Sequence, residues 1–520
     1  MKLKKPFTWC PLALALLAAG SVANATVTDS QLFSGKHGEF QQTSGNVVAT
    51  YVANWGDPNN VRQINGDNLS HILFAFLNMC GPGQLPEHAA ICADKPAFTL
   101  AEDANSIDKA FAAAFSDLKA NYPHLKILPS VGGWGGSDPF APMSLDKANR
   151  QIFIDAVVAY LKANSAFDGI DIDWEWPANI AEGDAYADLM IELRAAMDAL
   201  GKETGREYLV TSAIATGESY ISLVDYERAE PAMDLIFLMT YDFFGPWANN
   251  NIGHHTAISA HSANLVNGYG YGVENAVTNM LGLGMPAEKL VLGVAKYAKG
   301  WDSVTVNTKG TPFGGSSTSG FPKPKDPWDT AGIATYTRVA AEILGPDGQG
   351  RDGFQILFDE DCQCHYAWRE TDRAFVGFDH PADVITKGEL AVSQGLGGVF
   401  AWEYGQDNGD ILNAMNRGVG NLDLLASDLS LWQPEATYVK GNRVVFNHKL
   451  YEAKWWTQGN EPGALHGPWQ LINTASRPEW SAETVYLAGD QVTHNGTRYE
   501  AQWWTLDNQP GVPNGPWLAI

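Results

Sequence analysis

A chain of 520 residues is too long for one ordinary core, so a domain of roughly 250 residues or more with smaller companions is expected. Its 59 acidic against 34 basic residues give a formal charge of −25, which makes nucleic acid and anionic membrane surfaces poor partners and leaves a neutral polymer compatible. Hydrophobic residues at 45% and charged ones at 18% form the composition of a soluble globular protein.

Residues 1–25 read as a signal peptide. Lys2, Lys4 and Lys5 precede the apolar run Cys10 to Gly20, and Ala23-Asn24-Ala25 offers small residues for cleavage. The mature chain is expected to start near Thr26 with a charge of about −28, and 26–44 forms an N-terminal segment. The apolar run is shorter than the roughly 20 residues a spanning helix needs, and no later stretch qualifies, so the product is expected to be secreted, extracellular and not bound to a membrane.

Between residues 45 and 405 lie eight short β-branched or apolar runs, separated mostly by helical patterns. They are Val47–Asn54, His71–Leu77, Lys126–Val131, Gly169–Trp174, Tyr208–Ile214, Leu235–Tyr241, Leu290–Tyr297 and Gly397–Trp402. Near-continuous apolar strands imply burial on both faces, as in a parallel sheet covered by helices. Helices are expected over Asp146–Ala163 and Ala185–Leu200, where apolar residues recur three and four apart. The fold class is therefore α/β, a (β/α)₈ TIM barrel over 45–417. The chain after Tyr297 runs about eighty residues before the helix near Ala382, so an inserted α+β domain is expected over about 298–380, on the face where barrels place active sites.

After Arg417 the sequence turns Trp-rich and Gly-rich and repeats itself at an offset of 48 residues, Trp432 to Trp469 recurring as Trp480 to Trp517. Two small β-rich modules are expected, 430–472 and 478–520, in which several of the repeated aromatics must be structural. Two adjacent rings on a strand face opposite sides, so at least one of Trp455 and Trp456, and of Trp503 and Trp504, is expected to face solvent as a sugar-stacking platform.

Of five cysteines, Cys10 leaves with the leader, and Cys80 and Cys92 suit a loop disulfide. Cys362-Gln363-Cys364 is open between a strained local bridge, a metal half-site and two thiols; without four-ligand spacing, no metal is expected, and no cofactor.

The most specific stretch is Asp168-Gly169-Ile170-Asp171-Ile172-Asp173-Trp174-Glu175-Trp176-Pro177, at the end of the fourth strand. Residues two apart share a face, so Asp171, Asp173 and Glu175 point together into the barrel. Crowded carboxylates cannot all ionise cheaply, and Glu175, nearest the mouth, is the natural proton donor to a leaving oxygen. The alternatives are a surface-exposed acidic strand or a divalent-cation site, and the flanking Ile, Trp and Pro argue against them. Met239-Thr240-Tyr241-Asp242 ends the sixth strand and is followed by Gly245-Pro246-Trp247, a Tyr and a carboxylate placed to hold a polar group. Ser130-Val131-Gly132-Gly133-Trp134 ends the third strand, where Ser130 can bond a buried Asp and the glycines permit close backbone approach. Tyr51 in the first strand and Trp402 at the end of the eighth surround the same mouth.

Over residues 45 to 417 these motifs resemble those of family 18 glycoside hydrolases, the chitinases, with the Asp-x-x-Asp-x-Asp-x-Glu signature complete as Asp168, Asp171, Asp173 and Glu175. The resemblance implies retaining hydrolysis of β-1,4 bonds between N-acetylglucosamine units, assisted by the substrate's own acetamido group. It makes Glu175 the acid and then the base, Asp173 the group that orients the acetamido, and Asp171 its buffer. It further has Tyr241 and Asp242 hold the acetamido, Ser130 and Tyr51 bond the inner Asp, and Trp402 lie beneath the cleaved sugar. Trp134, Trp176, Trp247 and Met239 become candidates for the subsite walls. The C-terminal repeats resemble small bacterial chitin-binding modules, identified by Trp455-Trp456 and Trp503-Trp504. Chitin and chito-oligosaccharides are then the partners of a monomer.

Two positions depart from the family pattern: Tyr297-Ala298-Lys299 stands where many relatives have Tyr-Gly-Arg, and Glu403 follows Trp402. Two alternatives stay open. A lectin without turnover is opposed by the presence of Glu175, and an endo-β-N-acetylglucosaminidase acting on glycoprotein or peptidoglycan glycans by the tandem modules and the inserted wall.

Overall fold

The computed structural model describes residues 29–519 except 103–106, 267, 269, 308–309, 319–330, 426–429, 447–448, 465–466, 473–479, 481, 483–485, 487–490, 495–496, 504 and 513–514. The expected leader 1–25 and Trp504 lie outside the described residues. Among those described, no helix is long and apolar enough to cross a membrane.

Eight parallel strands close into a barrel: β1 Val47–Ala53, β2 His71–Leu77, β3 Lys126–Gly132, β4 Gly169–Asp173, β5 Leu209–Ala215, β6 Leu235–Met239, β7 Leu290–Ala295 and β8 Gly398–Trp402, with β8 pairing both β7 and β1. The near-continuous apolar runs divide by alternation into two cores. Val48, Ile72, Phe74, Ile127, Ile170, Ile172 and Val210 belong to the large core that the helices cover, while Ala49, Tyr51, Leu73, Leu128, Phe237 and Phe400 form a separate cluster. The helix expected from Asp146 runs Lys147–Ala163 with Asp146 as its N-cap, accepting from the Ala148 N–H at 2.7 Å. That expected over Ala185–Leu200 is longer, Ile180–Thr204. Its ends are set by chemistry that the apolar periodicity does not report: Asn179 accepts from the Glu182 N–H, Glu182 reaches back to the Ala178 N–H, and Gly205 closes the helix at φ 71°.

The seventh strand stops at Ala295, short of the expected Tyr297. Lys296 turns the chain out of the barrel, its N–H donating to the Trp402 carbonyl at 2.8 Å and its fully buried ammonium lying 3.2 Å from Asp407. Tyr297–Trp301 then opens an antiparallel sheet of five strands in the order Ile333–Thr335, Tyr297–Trp301, Ala374–Phe378, Cys364–Arg369, Phe354–Asp359. With the helix Tyr336–Val339 this is an inserted α+β unit. Trp301, Phe313, Tyr366, Trp368 and Phe375 fill its core together with Phe244 and Ile252 from the loop after β6, so the insert is packed onto that loop. Cys80 and Cys92 are bridged, whereas Cys362 and Cys364 are buried without a bridge.

The C-terminal region is β-rich. Strands Ser430–Leu431, Arg443–Phe446, Lys449–Ala453 and Trp469–Leu471 form one sheet, and Gln491–His494, Thr497–Ala501 and Trp517–Ala519 another. Tyr438, Val444, Ala453 and Trp469 are buried in the first, and their repeat partners Tyr486, Val492, Ala501 and Trp517 in the second. Each unit thus spends most of its conserved-offset apolar residues on a core of only a few side chains.

Candidate active site

The site is built upward from Asp171, which is fully buried on β4. Parallel register sets Ser130 of β3 and Thr211 of β5 directly beside it. Its Oδ2 accepts from the Ser130 hydroxyl at 2.6 Å and from the Tyr51 hydroxyl at 3.0 Å, and its Oδ1 from the Thr211 hydroxyl at 2.6 Å. Burial pushes this carboxyl up, and the three donors pull it back. Asp168, the first acid of the signature, lies elsewhere: it bonds Lys119, Arg206 and the Ile127 N–H, and takes no part in the cleft.

Asp173 ends β4 and Glu175 stands in a bend two residues beyond it, not on the strand as expected; both line a cleft of about 1320 Å³ at the carboxyl ends of the strands. Glycines at the end of β3 let the backbones close around them. A Cβ at Gly132, where φ is 120°, would lie 2.1 Å from the Asp173 carbonyl oxygen, and the Gly133 N–H donates to that same oxygen at 2.8 Å. Ser137 accepts from the Glu175 N–H at 2.9 Å, which anchors the residue at the barrel rim. Burial, and then the charges of Glu175 and Asp171, hold Asp173 well above the usual carboxylate range. Its Oδ1 is buried with no partner among the described residues, and so is open to a donor from a bound molecule. Burial and then the nearby Asp242 push Glu175 to about 7, which makes it a proton donor at neutral pH.

Tyr241 and Asp242 follow β6, two strands along the rim from β4. Asp242 adopts φ 60°, the left-handed region, as the chain turns out of the barrel. Its Oδ1 accepts from the Tyr297 hydroxyl at 2.6 Å, its Oδ2 lies 2.9 Å from the Lys299 ammonium, and His255 Nδ1 is 3.7 Å away. Burial acts to raise Asp242, but these neighbours outweigh it and hold the carboxyl at about 2. Tyr241 is the reverse: burial and the surrounding carboxylates keep its hydroxyl protonated, and hence a donor. One side of the cleft therefore carries an acid ready to release a proton, and the other a fixed anion and a hydroxyl donor.

Aromatic rings make the walls. Trp402 stacks on Phe76 with centroids 5.5 Å apart and lies 5.3 Å from Tyr51. Trp134 meets Trp176 edge-on at 6.3 Å, and Trp176 in turn lies 5.0 Å from Tyr220. Trp247 and Met239 line the cleft as well, with the Lys299 ammonium 4.2 Å above the Trp247 ring. The structure brings the barrel residues named from the sequence to one cleft, with Asp171 and Ser130 in the layer beneath it. Sequence reasoning missed Thr211, Tyr297, His255, Phe76 and Tyr220. Thr211 carried a signal, being a hydroxyl residue on the strand next to the acidic one. Tyr297 was hidden by its assignment to β7, and Lys299 stood out only as a departure from a family pattern.

Trp455 and Trp456 are not on a strand. They occupy a bend after Lys449–Ala453 and are both exposed, 51% and 60%, because the bend releases them from the strict alternation of a strand. Trp503, one repeat later, is 55% exposed.

The family model "Glycosyl hydrolases family 18" matches residues 47–407, and "Carbohydrate-binding module family 5/12" matches 431–470 and 479–518. The chain is 37% identical to chitinase A of Pseudoalteromonas piscicida over 439 residues, which cover 72% of this chain and 52% of that protein. It thus spans about half the length of that relative. It is 34% identical to a probable endochitinase of Orgyia pseudotsugata multicapsid polyhedrosis virus, over 72% of each chain. Among solved structures, a family 18 N-acetylglucosaminidase from Paenibacillus barengoltzii superposes with a TM-score of 0.58 at 26% identity, covering 72% of this chain and 99% of that one.

Thr211→Val leaves Asp171 Oδ1 buried without its donor and is expected to cost about 1–3 kcal/mol of stability at neutral pH. The loss should shrink as pH falls through the folded-state pKa of Asp171, because a protonated carboxyl needs the donor less. Urea denaturation of both proteins across pH checks this, and a loss that is constant with pH would show that Thr211 acts through packing alone.

Proposed function

Because the chain belongs to glycosyl hydrolases family 18, we propose that it is a chitinase that cuts β-1,4 bonds between N-acetylglucosamine units with Glu175 as acid and then base. One observation carries this: a carboxyl pushed to about 7 stands just beyond the end of an acidic strand in an aromatic cleft that it shares with a carboxylate held at about 2. Glu175 gives its proton to the leaving glycosidic oxygen. The acetamido oxygen of the same sugar attacks the anomeric carbon as that bond breaks, forming a cyclic oxazolinium ion. The Glu175 carboxylate then takes a proton from a water that opens the ring, which restores the acid and retains configuration.

The surrounding groups suit that course. Asp242 is a poor nucleophile because Tyr297 and Lys299 hold its electron pairs, and Asp173 ends the strand from which the chain leads to the acid two residues on. Asp173 accepts from the acetamido N–H and Tyr241 donates toward its oxygen, so charge on the forming ring is met by groups already in place. Asp171 keeps Asp173 in position, with Tyr51 and Ser130 as its supports. Trp402 stacks under the cleaved sugar, and Trp134, Trp176, Trp247 and Met239 hold its neighbours.

In the proposed layout the catalytic unit spans 45–417, with its insert at about 298–380, and the modules span 430–472 and 478–520; the family matches at 47–407, 431–470 and 479–518 support these limits. Trp455, Trp456, Trp503 and Trp504 are the chitin platforms; the exposure of the first three supports this. Export follows from the leader-like start, and the Cys80–Cys92 bridge is consistent with an oxidising destination.

Glu175→Gln is expected to lower turnover at least about a hundredfold while leaving oligosaccharide binding largely intact. In the parent, kcat/KM should fall as pH rises through about 7, since the free enzyme must carry the Glu175 proton. Asp242→Asn removes the charge that raises Glu175, so the alkaline limb of its residual activity should move to lower pH. Near-normal turnover in the Gln variant, or a limb unmoved in the Asn variant, would contradict these roles.

Removing 430–520 should weaken attack on crystalline chitin far more than on soluble oligomers, because tethering two weak aromatic contacts to one chain makes the second intramolecular. Chitin pull-down with circular dichroism on Trp455→Ala/Trp456→Ala checks the platform. A folded variant that binds like the parent would overturn it.

A further inference from the structure

Outside the cleft, the hairpin turn between the inserted strands Phe354–Asp359 and Cys364–Arg369 holds Cys362 and Cys364 against His254, which comes from the loop after β6. The three are 0%, 2% and 3% exposed. A ring nitrogen of His254 and the two sulfurs all lie within 4.8 Å of one another. Gln363, between the cysteines, adopts φ 54°, the left-handed conformation that tightens the turn. His254 Nε2 is 3.1 Å from Asp359 Oδ2, and the same oxygen is 3.2 Å from Cys362 Sγ. His254 Nδ1 is buried with no hydrogen-bond partner among the described residues. Phe313, Tyr366 and Phe375 wall the imidazole, with centroids 4.6, 5.6 and 5.6 Å away.

We propose that His254, Cys362 and Cys364 bind a zinc-class metal ion that fastens the inserted sheet to the loop carrying Asp242. Two sulfurs and an imidazole form a soft donor set, suited to zinc rather than to magnesium or calcium, which take oxygen. Asp359 stands where an acceptor for a metal-bound imidazole belongs, the carboxylate–histidine arrangement that fixes ring orientation. Zn–S bonds of about 2.3 Å in a tetrahedron place the sulfurs about 3.7 Å apart. Binding therefore rotates the two side chains away from their present 2.6 Å contact. The rival state, a bridge between the two cysteines, keeps the His254–Asp359 pair but leaves the buried His254 Nδ1 without a partner among the described residues.

The sequence led to the opposite expectation because the third ligand is supplied by another loop, far from the Cys-Gln-Cys stretch. The consequence reaches the cleft through one peptide unit: His255 follows His254, stands 3.7 Å from Asp242, and accepts from the Phe243 N–H at 3.0 Å. The metal is thus a positioning element for the wall that holds Asp242, and it takes no part in bond cleavage.

The test uses the full chain with Cys10 replaced by serine, loaded with zinc, dialysed against metal-free buffer, and assayed for metal content and for thiols in denaturant without reductant. The expected result is one zinc per chain, with two thiols that react only after unfolding in chelator. Cobalt in place of zinc should give a thiolate-to-cobalt charge-transfer band. Asp359→Asn should weaken zinc binding about 10–100-fold while circular dichroism stays unchanged. Zero thiols with no metal would establish the disulfide, and two thiols with no metal retained would establish plain buried cysteines; either overturns the proposal. Should Cys362→Ser/Cys364→Ser fail to fold, the thiol and zinc counts on the parent decide the matter unaided.

Discussion

A buried carboxylate without partners costs several kcal/mol, and Asp171 avoids that cost through three hydroxyls drawn from three strands. Tyr51 reaches it from β1, Ser130 from β3 and Thr211 from β5, so the arrangement exists only when the barrel is closed and in register. Everything above it inherits this placement. With Asp171 held at depth, the pleat of β4 carries Asp173 to the rim and the bend beyond it presents Glu175, while the glycines of β3 let the chain pass close enough to lock the Asp173 backbone. The frame of the cleft is therefore set by a buried layer, of which Tyr51 alone also reaches the cleft lining.

The second element is the separation of proton affinities. Glu175 and Asp242 face one cleft, yet burial and a like charge send one to about 7, while His255, Lys299 and Tyr297 together outweigh burial and take the other to about 2. Tyr297 and Lys299 belong to the first strand of the inserted sheet, not to the barrel. The insert thus joins His255 of the loop after β6 in keeping Asp242 ionised, and that charge adds to burial in keeping a proton on Glu175. The Lys299 ammonium serves both Asp242 and the face of Trp247.

The barrel was legible because its strands are buried on both faces and read as near-continuous apolar runs, and because acids two apart on one strand can only point together. Asp171, Asp173 and Glu175 could be ordered by depth from spacing alone. What stayed hidden depends on contacts between distant segments. Thr211 becomes a ligand of Asp171 only through the register of β4 with β5. Tyr297 looked like the end of an apolar strand, and only the buried Lys296 shows where the chain leaves the barrel. Trp455 and Trp456 read as adjacent rings on a strand, with at least one facing solvent, but a bend after Ala453 exposes both. His254 gives no local hint that it faces Cys362 and Cys364.

The central claim is that the nucleophile belongs to the substrate and that the protein supplies only the acid and the frame. It is tested most directly by a series of aryl chitobiosides whose acetamido groups next to the cleaved bond carry zero to three fluorine atoms. Each fluorine weakens the carbonyl oxygen as a nucleophile without changing the leaving group. The account predicts that kcat/KM falls steeply across the series and that the fully deacetylated analogue is not cut. A rate that is insensitive to fluorination would contradict it, and would require a protein carboxylate to attack in place of the acetamido oxygen.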